Sequence, residues 1–236
     1  MASYNEEEYL EAIFHLIQKE KKVTTSRLAE RLKVTPASAS SMAKKLAKEG
    51  LIKHRPYRGI VLTKEGLKEA TKLVRRHRLS ERFLTDVLGL DWDKAHDEAC
   101  KFEHVLSDAV EEKLDKALGS PKTCPHGNPI PSKTGKILEK VVKPLSSLKP
   151  KERGFITKIT NEEPKLLQYL ATLGLLPQAL VCVEEVAPFA GPLLVRVSSK
   201  EASASKNKQR QRRKEGASYA LGRDIASCIW VEKGHK

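Results

Sequence analysis

The chain has 236 residues, with 44 Lys and Arg against 30 Asp and Glu, a formal net charge of +14 and a pI near 9.6. That length suits one large domain or about two to three small ones, and the charge favours an acidic partner, nucleic acid before an anionic membrane. No apolar run is long enough to span a bilayer, no secretory signal is recognisable, and Cys100, Cys124, Cys182 and Cys228 are scattered without a paired framework, so the expectation is a reducing, cytoplasmic home with no membrane partner.

Residues 5–20 place Tyr9, Leu10, Ile13, Phe14 and Ile17 at helical period, with Asn5 as the expected cap. Glu6, Glu7 and Glu8 suit the positive end of that helix, and dipole complementarity with solubility is the bland reading of Glu6 and Glu7, which leaves a further role open. Glu8 and Glu11 stand three apart on one face and are candidates for oxygen ligands.

Residues 24–52 read as a helix-turn-helix: a helix over 26–32, a turn at Lys33–Val34–Thr35, and a second helix capped by Thr35, opened by Pro36 and ended by Gly50. The second helix is suited to a major groove. Ser38, Ser40 and Ser41 permit close approach to base edges, and Lys44 and Lys45 can neutralise phosphates. Arg27, Thr35 and Pro36 complete the set expected near DNA. The competing reading is a helical pair with no nucleic-acid role. Residues 51–63 form two short strands around P-Y-R-G, a wing whose Arg58, Arg55 and His54 would face phosphate or minor groove. Thr63 caps the next helix without a capping box, because Gly66 stands where Glu or Gln would be needed.

That helix runs from Lys64 to about Leu88. Gly89 ends it, Asp91 is the expected cap of the next, and residues 94–118 are expected to form one amphipathic helix whose broad apolar stripe is core or a two-fold interface. Six potential ligands fall on these two helices. His77 and Glu81 are four apart, as are His96 and Cys100, while Cys100, Glu103 and His104 stand at i, i+3 and i+4. Imidazole, carboxylate and thiolate together form a donor set for a divalent transition metal. A lone residue of any of these types is usually an ordinary surface or core residue; the grouping carries the inference. In the Pro/Gly-rich loop 119–135, Cys124 and His126 form a weaker candidate pair. Residues 136–154 read as a linker. Beyond it lie short strands at 154–159, 179–186, 193–198 and 229–233 with a helix over 165–173, the pattern of a small β-barrel. Residues 199–218 are basic and of low complexity, read as a solvated loop before a phosphate-binding arm.

The segments E-E-Y-L-E-A-I, H-R-L-S-E-R-F-L, H-D-E-A-C-K-F-E-H-V-L-S-D and C-P-H-G-N-P-I-P, with the helix-turn-helix and wing, resemble the diphtheria-toxin-repressor family of iron- or manganese-dependent repressors over residues 3–131. Residues 144–234 are similar to the family's SH3-like domain in its ferrous-transport-protein-A-like form. The resemblance implies a mainly α fold with small β parts: a winged helix-turn-helix over 1–73, a helical metal-binding and dimerisation domain over 74–140, and an SH3-like β-barrel over 141–236. It places Glu8, His77, Cys100, Glu103 and His104 on ligand positions spread over two neighbouring sites, Glu81 and His96 on further ligands of one, and Cys124 and His126 on ligands used in one branch. Arg78 and Asn128 fall on positions that hold an anion. One of Glu162 and Glu163, with Glu163 taken, would come from the barrel. The chain combines the carboxylate of the manganese branch at Glu8 with the thiol of the iron branch at Cys100.

The implied protein is a homodimeric repressor that is not an enzyme. It binds a palindromic duplex operator, with one or two dimers per site, when loaded with Fe²⁺ or Mn²⁺, and controls metal-homeostasis genes; Zn²⁺, Co²⁺ or Ni²⁺ would act as surrogates. Against it stand a metal-independent regulator switched by thiol chemistry at Cys100 and Cys124, and a metal hydrolase, which lacks both H-E-x-x-H and a spare general base.

Overall fold

A computed structural model describes residues 3–20, 22–55, 59–138, 141–198 and 216–233. Arg58 and residues 199–215 of the basic segment lie outside them. The helices are α1 (Tyr4–Lys19), α2 (Thr25–Leu32), α3 (Pro36–Lys48), α4 (Lys64–Asp86), α5 (Ala95–Phe102), α6 (Asp108–Ala117), α7 (Pro164–Thr172) and α8 (Arg223–Cys228). The strands are β1 (Ile52–Arg55), β2 (Gly59–Leu62), β3 (Lys143–Pro144), β4 (Arg153–Ile159), β5 (Leu180–Val186), β6 (Leu193–Ser198), β7 (Ser218–Leu221) and β8 (Ile229–Lys233). No helix of the described residues is long and apolar enough to cross a membrane.

The chain divides into two compact units. The first takes in Met1–Ser80, Cys100–Ala117 and Ile130–Ile137; the second takes in Glu81–Ala99, Leu118–Pro129 and Leu138–Lys236. The division falls within α4 and α5.

In the first unit, α1, α2 and α3 share a core with the wing. Leu10 and Ile13 of α1 pack with Leu28 of α2, with Ala39, Ala43 and Leu46 of α3, and with Ile52 and Ile60 of the hairpin. Ala39 and Ala43, four apart, give α3 a face without bulk. Thr24 and Thr35 cap α2 and α3 by accepting from the Arg27 and Ser38 amides, and Lys33 takes the left-handed conformation at the tight turn. α1 starts two residues earlier than the expected Asn5 cap requires: Ser3 is the cap, and its amide donates to the Glu6 carboxylate. The wing pairs in antiparallel register from Ile52 with Leu62 to Arg55 with Gly59, and the Ile60 amide donates to the Val23 carbonyl at 2.8 Å. Thr63 caps α4 through the Gly66 amide at 3.0 Å. The absent capping box has a steric cause: a Cβ at position 66 would lie 1.8 Å from the Leu51 carbonyl oxygen.

The expected single helix over 94–118 is broken. The Lys94 amide bonds to the Asp91 carbonyl in a turn, and α5 begins only at Ala95. A single 3₁₀ turn over Glu103–Val105 then tightens the chain, Leu106 becomes extended, and Ser107 restarts the helix by accepting from the Val110 amide. The apolar stripe is broken with it. Leu106 is buried, whereas Val105 and Val110 are 75% and 50% exposed.

α6 is held to α4 by charge. Buried Arg75 donates to Glu111 at 2.9 Å and to the Pro131 carbonyl at 2.8 Å, and pairs with Asp115 at 2.9 Å. Arg76 reaches Glu111 at 3.2 Å and Asp108 at 2.5 Å.

The second unit contains a six-stranded antiparallel sheet in the order β3-β8-β4-β5-β6-β7. Its core combines Ile156, Val181, Val183, Val195 and Val231 from the strands with Leu167 and Leu170 of α7. The expected strands and α7 are present. β3, β7 and α8 were not anticipated, and the expected linker contributes fully buried Leu145 to the core.

Replacing Arg75 with Ala is expected to lower the stability of the metal-free chain by about 3–5 kcal/mol, because two carboxylates lose a cation already taken out of water. Chemical denaturation measures it, and a loss below about 1 kcal/mol would show that the network is solvated.

Candidate metal centres

Two groups of ligand-type side chains form, each within one unit. In the first unit, Glu11 of α1, His77 of α4 and Glu103 of the 3₁₀ turn bring one donor atom each within 4.8 Å of one another. The 3₁₀ turn itself aims Glu103 and His104 toward α1. The Glu103 carboxylate is wholly buried and bonds to His77 Nδ1. Its second oxygen has no hydrogen-bond partner, its nearest cationic neighbour being His104 Nε2 at 3.4 Å. Burial raises the Glu103 carboxyl to about 7, against the bond from His77.

His104 is clasped on both ring nitrogens. Nδ1 bonds to Glu7 Oε2 at 2.7 Å and Nε2 to Glu8 Oε1 at 3.1 Å. The Tyr4 ring lies against the imidazole with centroids 4.1 Å apart. Burial pushes His104 toward the neutral form, but Glu7, Glu103 and Glu8 outweigh it and raise its pKa. Glu11 also meets His15, four residues on, at 3.3 Å. Of the residues expected here, Glu8, Glu11, His77, Glu103 and His104 converge. Cys100 is half-buried on α5 and stands outside the Glu11–His77–Glu103 set. Glu7, for which the sequence offers no more than the helix dipole, joins the converging residues through its bond to His104.

In the second unit, Glu81, Cys124, His126 and Glu162 form another set within 4.8 Å. His126 Nδ1 lies 3.1 Å from Glu81, and His96 Nδ1 lies 3.0 Å from Glu162 and 3.5 Å from Glu81. The C-P-H-G loop is pinned from several sides. The Cys124 amide donates to the Asn128 carbonyl at 2.9 Å, the Ile159 amide of β4 donates to the His126 carbonyl at 2.9 Å, and His126 Nε2 bonds to the Trp92 carbonyl at 2.8 Å. Gly127 has φ +84°, and a Cβ there would lie 1.9 Å from the Thr157 carbonyl oxygen.

Burial raises the Cys124 thiol. Burial works against a charged His126, but Cys124 and Glu81 hold its pKa up to about 11. Burial and Glu81 push Glu162 up, and His96 and His126 outweigh them, leaving it below the usual carboxylate range. The carboxylate brought to this cluster is Glu162. Glu163 is exposed and its backbone opens α7. Asn128, expected near an anion, donates from its amide nitrogen to the Ile159 carbonyl at 3.0 Å and to Glu162 at 2.6 Å, and so orients that carboxylate. Arg78, the other expected anion partner, is buried in the first unit and bears on His15 by charge.

On the side expected to face DNA, Thr35, Pro36, Ser38, Ser41, Lys44 and Lys45 are exposed, and Ser40 is half-buried. Two of the residues expected near DNA are ion-paired within the protein. Arg27 pairs with Glu20 at 2.7 Å and with Glu30, and Lys45 pairs with Glu6 at 2.6 Å.

A winged helix-turn-helix joined to paired carboxylate–imidazole clusters defines the class of a metal-responsive DNA-binding regulator. Residues 1–60 match the iron dependent repressor N-terminal DNA binding domain, residues 63–132 the iron dependent repressor metal binding and dimerisation domain, and residues 143–233 the FeoA domain. The chain is 33% identical over 190 residues to the iron-dependent repressor IdeR of Mycobacterium leprae, covering 75% of this chain and 83% of that one. It is 42% identical over 125 residues to the diphtheria toxin repressor of Corynebacterium diphtheriae, covering 53% of this chain and 55%, about half, of that relative. Among solved structures, a manganese-dependent transcriptional repressor in complex with manganese superposes with a TM-score of 0.85 at 34% identity, over 97% of this chain and 99% of that one. The T. acidophilum IdeR superposes with a TM-score of 0.78 at 26% identity, over 99% and 100%. The chain belongs to the iron-dependent, diphtheria-toxin-repressor family, whose members are transcriptional repressors and not enzymes.

Two outcomes follow from the geometry. The folded chain binds a proton at Glu103 more tightly than the unfolded chain, whose ordinary value is 4.5, so metal-free stability falls as pH rises from there to about 7 and then levels. Glu103→Gln is therefore expected to stabilise the metal-free chain at pH 8 by about 1–3 kcal/mol and to change little at pH 4; thermal melts at both pH values measure the difference. Gly127→Ala is expected to cost more than about 1 kcal/mol through its positive φ and the carbonyl contact. An unchanged melt and an unchanged Trp fluorescence, Trp92 lying 5.3 Å from the His126 ring, would show that the loop adapts.

Proposed function

We propose that the chain is a dimeric repressor that binds duplex operator DNA when Fe²⁺ or Mn²⁺ occupies its two clusters, and that it acts in the cytoplasm on metal-homeostasis genes. The observation that carries the reading is Glu103: a wholly buried carboxylate with one oxygen lacking a hydrogen bond, facing imidazoles and a further carboxylate. Such a group fits a cation, since a buried carboxylate without one carries a desolvation penalty of several kcal/mol in order of magnitude. Glu8, Glu11, His77, Glu103 and His104 would hold the ion of the first unit, with Cys100 as the soft donor nearest in sequence. Glu81, His96, Cys124, His126 and Glu162 would hold that of the second. A bound divalent ion supplies the positive charge that lets these carboxylates share one patch.

The chain's own residues do the remaining work. Glu8 and Glu11 belong to α1, so ligation from α1 to His77 and Glu103 fixes α1 against α4. α1 shares its core with the recognition helix α3. Fixing it favours one orientation of α3, and the dimer then meets two half-sites about one helical turn or a multiple apart. Ser38, Ser41 and Lys44 present the exposed start and middle of α3 to the groove. Exposed Phe102, Val105 and Val110 supply apolar surface for a second copy. The division into 1–73, 74–140 and 141–236 is our reading of where DNA binding, metal binding with dimerisation, and the sheet domain divide. A thiol switch loses support: Cys124 is buried and its thiol is pushed up, the opposite of a reactive thiolate.

The test measures affinity for a duplex selected from a random pool by the wild-type protein in Mn²⁺, with Mn²⁺, with Fe²⁺ and with chelator. Metal is expected to tighten binding roughly five- to 150-fold, and Glu8→Ala, Glu103→Ala and Cys100→Ala are each expected to reduce that gain. A gain that persists in all three variants would remove these residues from the mechanism, and DNA binding equal in metal and chelator would remove the mechanism itself.

A further inference from the structure

The first turn of α1 carries three adjacent glutamates. Successive side chains on a helix are turned by about 100°, so the three leave it in different directions. Glu7 and Glu8 reach the two ring nitrogens of His104 at 2.7 and 3.1 Å. Glu6 faces the recognition helix. Its Oε1 lies 2.6 Å from Lys45 Nζ of α3, while Oε2 accepts from the Ser3 amide. Glu6 is only 5% exposed, which complementarity to the helix dipole does not require. The bond from Lys45 and that from the Ser3 amide hold its carboxyl down to about 2.

We propose that the Glu6–Lys45 ion pair transmits metal occupancy at the His104 cluster to the recognition helix, so that Glu6 and Lys45 are positioning residues for metal-dependent DNA binding. This rests on the functional reading above. The geometric argument concerns direction. α1 and α3 otherwise meet through Leu10, Ile13, Ala39, Ala43 and Leu46, and apolar contact is non-directional and tolerates sliding. A buried carboxylate bonded to one ammonium does not tolerate it, because a shift strands the charge. The same helical turn is held by His104 on one side and by Lys45 on the other, so any displacement that re-forms the His104 contacts is carried to α3 at a fixed point. Lys45 lies on the exposed face with Ser41, Lys44 and Lys48, and its charge is committed to Glu6. Its contribution to DNA binding is to set the pose of the helix, and Lys44 and Lys48 remain for phosphates.

The experiment uses the full chain as wild type, Glu6→Gln, Lys45→Met, Lys45→Arg and the double variant Glu6→Gln/Lys45→Met. Each is titrated with Mn²⁺ by calorimetry, and then with the selected duplex in saturating Mn²⁺ and in chelator. All are expected to take up Mn²⁺ as the wild type does. The Mn²⁺-induced gain in DNA affinity is expected to fall roughly tenfold in Glu6→Gln and in Lys45→Met, to fall no further in the double variant, and to survive in Lys45→Arg. Should loss of the Ser3–Glu6 cap unfold Glu6→Gln, the comparison of exposed Lys45→Met with Lys45→Arg still decides. A wild-type gain in Lys45→Met overturns the link. So does a loss in Lys45→Met that is equal with and without metal, the signature of a plain phosphate contact. A wild type that shows no gain from Mn²⁺ is a different result, and it defeats the functional reading first.

Discussion

A carboxylate taken wholly out of water has to find positive charge, and both units of this chain are built around that demand. Glu103 in the first unit and Glu81 in the second are each fully buried. Imidazoles answer them, but imidazole is a weak and conditional cation. The two units strike the balance differently. Around His77 and His104 stand Glu7, Glu8, Glu11 and Glu103, and the deficit of positive charge shows as a Glu103 carboxyl raised to about 7. Around Glu81 and Glu162 stand His96 and His126, and the surplus of partners shows as His126 held in its protonated form. The first cluster is short of a cation. The second is balanced by protons that a metal would have to displace.

This difference bears on selectivity. The first cluster offers mainly oxygen and nitrogen, donors that suit Mn²⁺ and Fe²⁺ alike, and the second adds the softer sulfur of Cys124. The proton inventory then works on top of donor softness. An ion entering the second cluster would compete with a protonated imidazole and a neutral thiol, so occupancy there would depend on pH more steeply than donor type alone implies. The relatives are named for iron and for manganese.

The helix-turn-helix, the wing, the long α4 and four of the sheet strands were legible because their signals are local. Thr35–Pro36 and Gly50 mark the ends of α3, and β-branched runs mark the strands. The break after Phe102 was not legible, because Glu103, His104 and Val105 are unremarkable in a helix and the apolar spacing continues through them. What breaks the helix is the need to bury Glu103 against His77, a contact between residues 26 apart in sequence. The same limit explains Glu6, Glu7 and Lys45. Nothing local distinguishes a glutamate that complements a helix end from one that bonds a lysine 39 residues later or a histidine 97 residues later. Glu162 and Glu163 were indistinguishable for a related reason: one faces the cluster and its neighbour opens α7, and only the direction of the chain leaving β4 separates them.

The second cluster also shows why a sheet domain accompanies the helices. Its donors come from α4, from α5, from the loop after α6 and from the segment after β4, so no contiguous stretch could assemble it. The loop contributes twice directly, through Cys124 and His126, and a third time through Asn128, which orients Glu162. That loop is held in turn by the backbone of β4, through the Ile159 amide and through the space that Gly127 leaves for Thr157. The loop and Asn128 are therefore positioned in part by the backbone of β4. An ion bound there favours the docked sheet by mass action, and a sheet that fails to dock removes one carboxylate and loosens two further ligands at once. Metal binding by these donors would in this way be linked to folding of the sheet, whereas the first cluster draws every donor from the helical unit that carries α3.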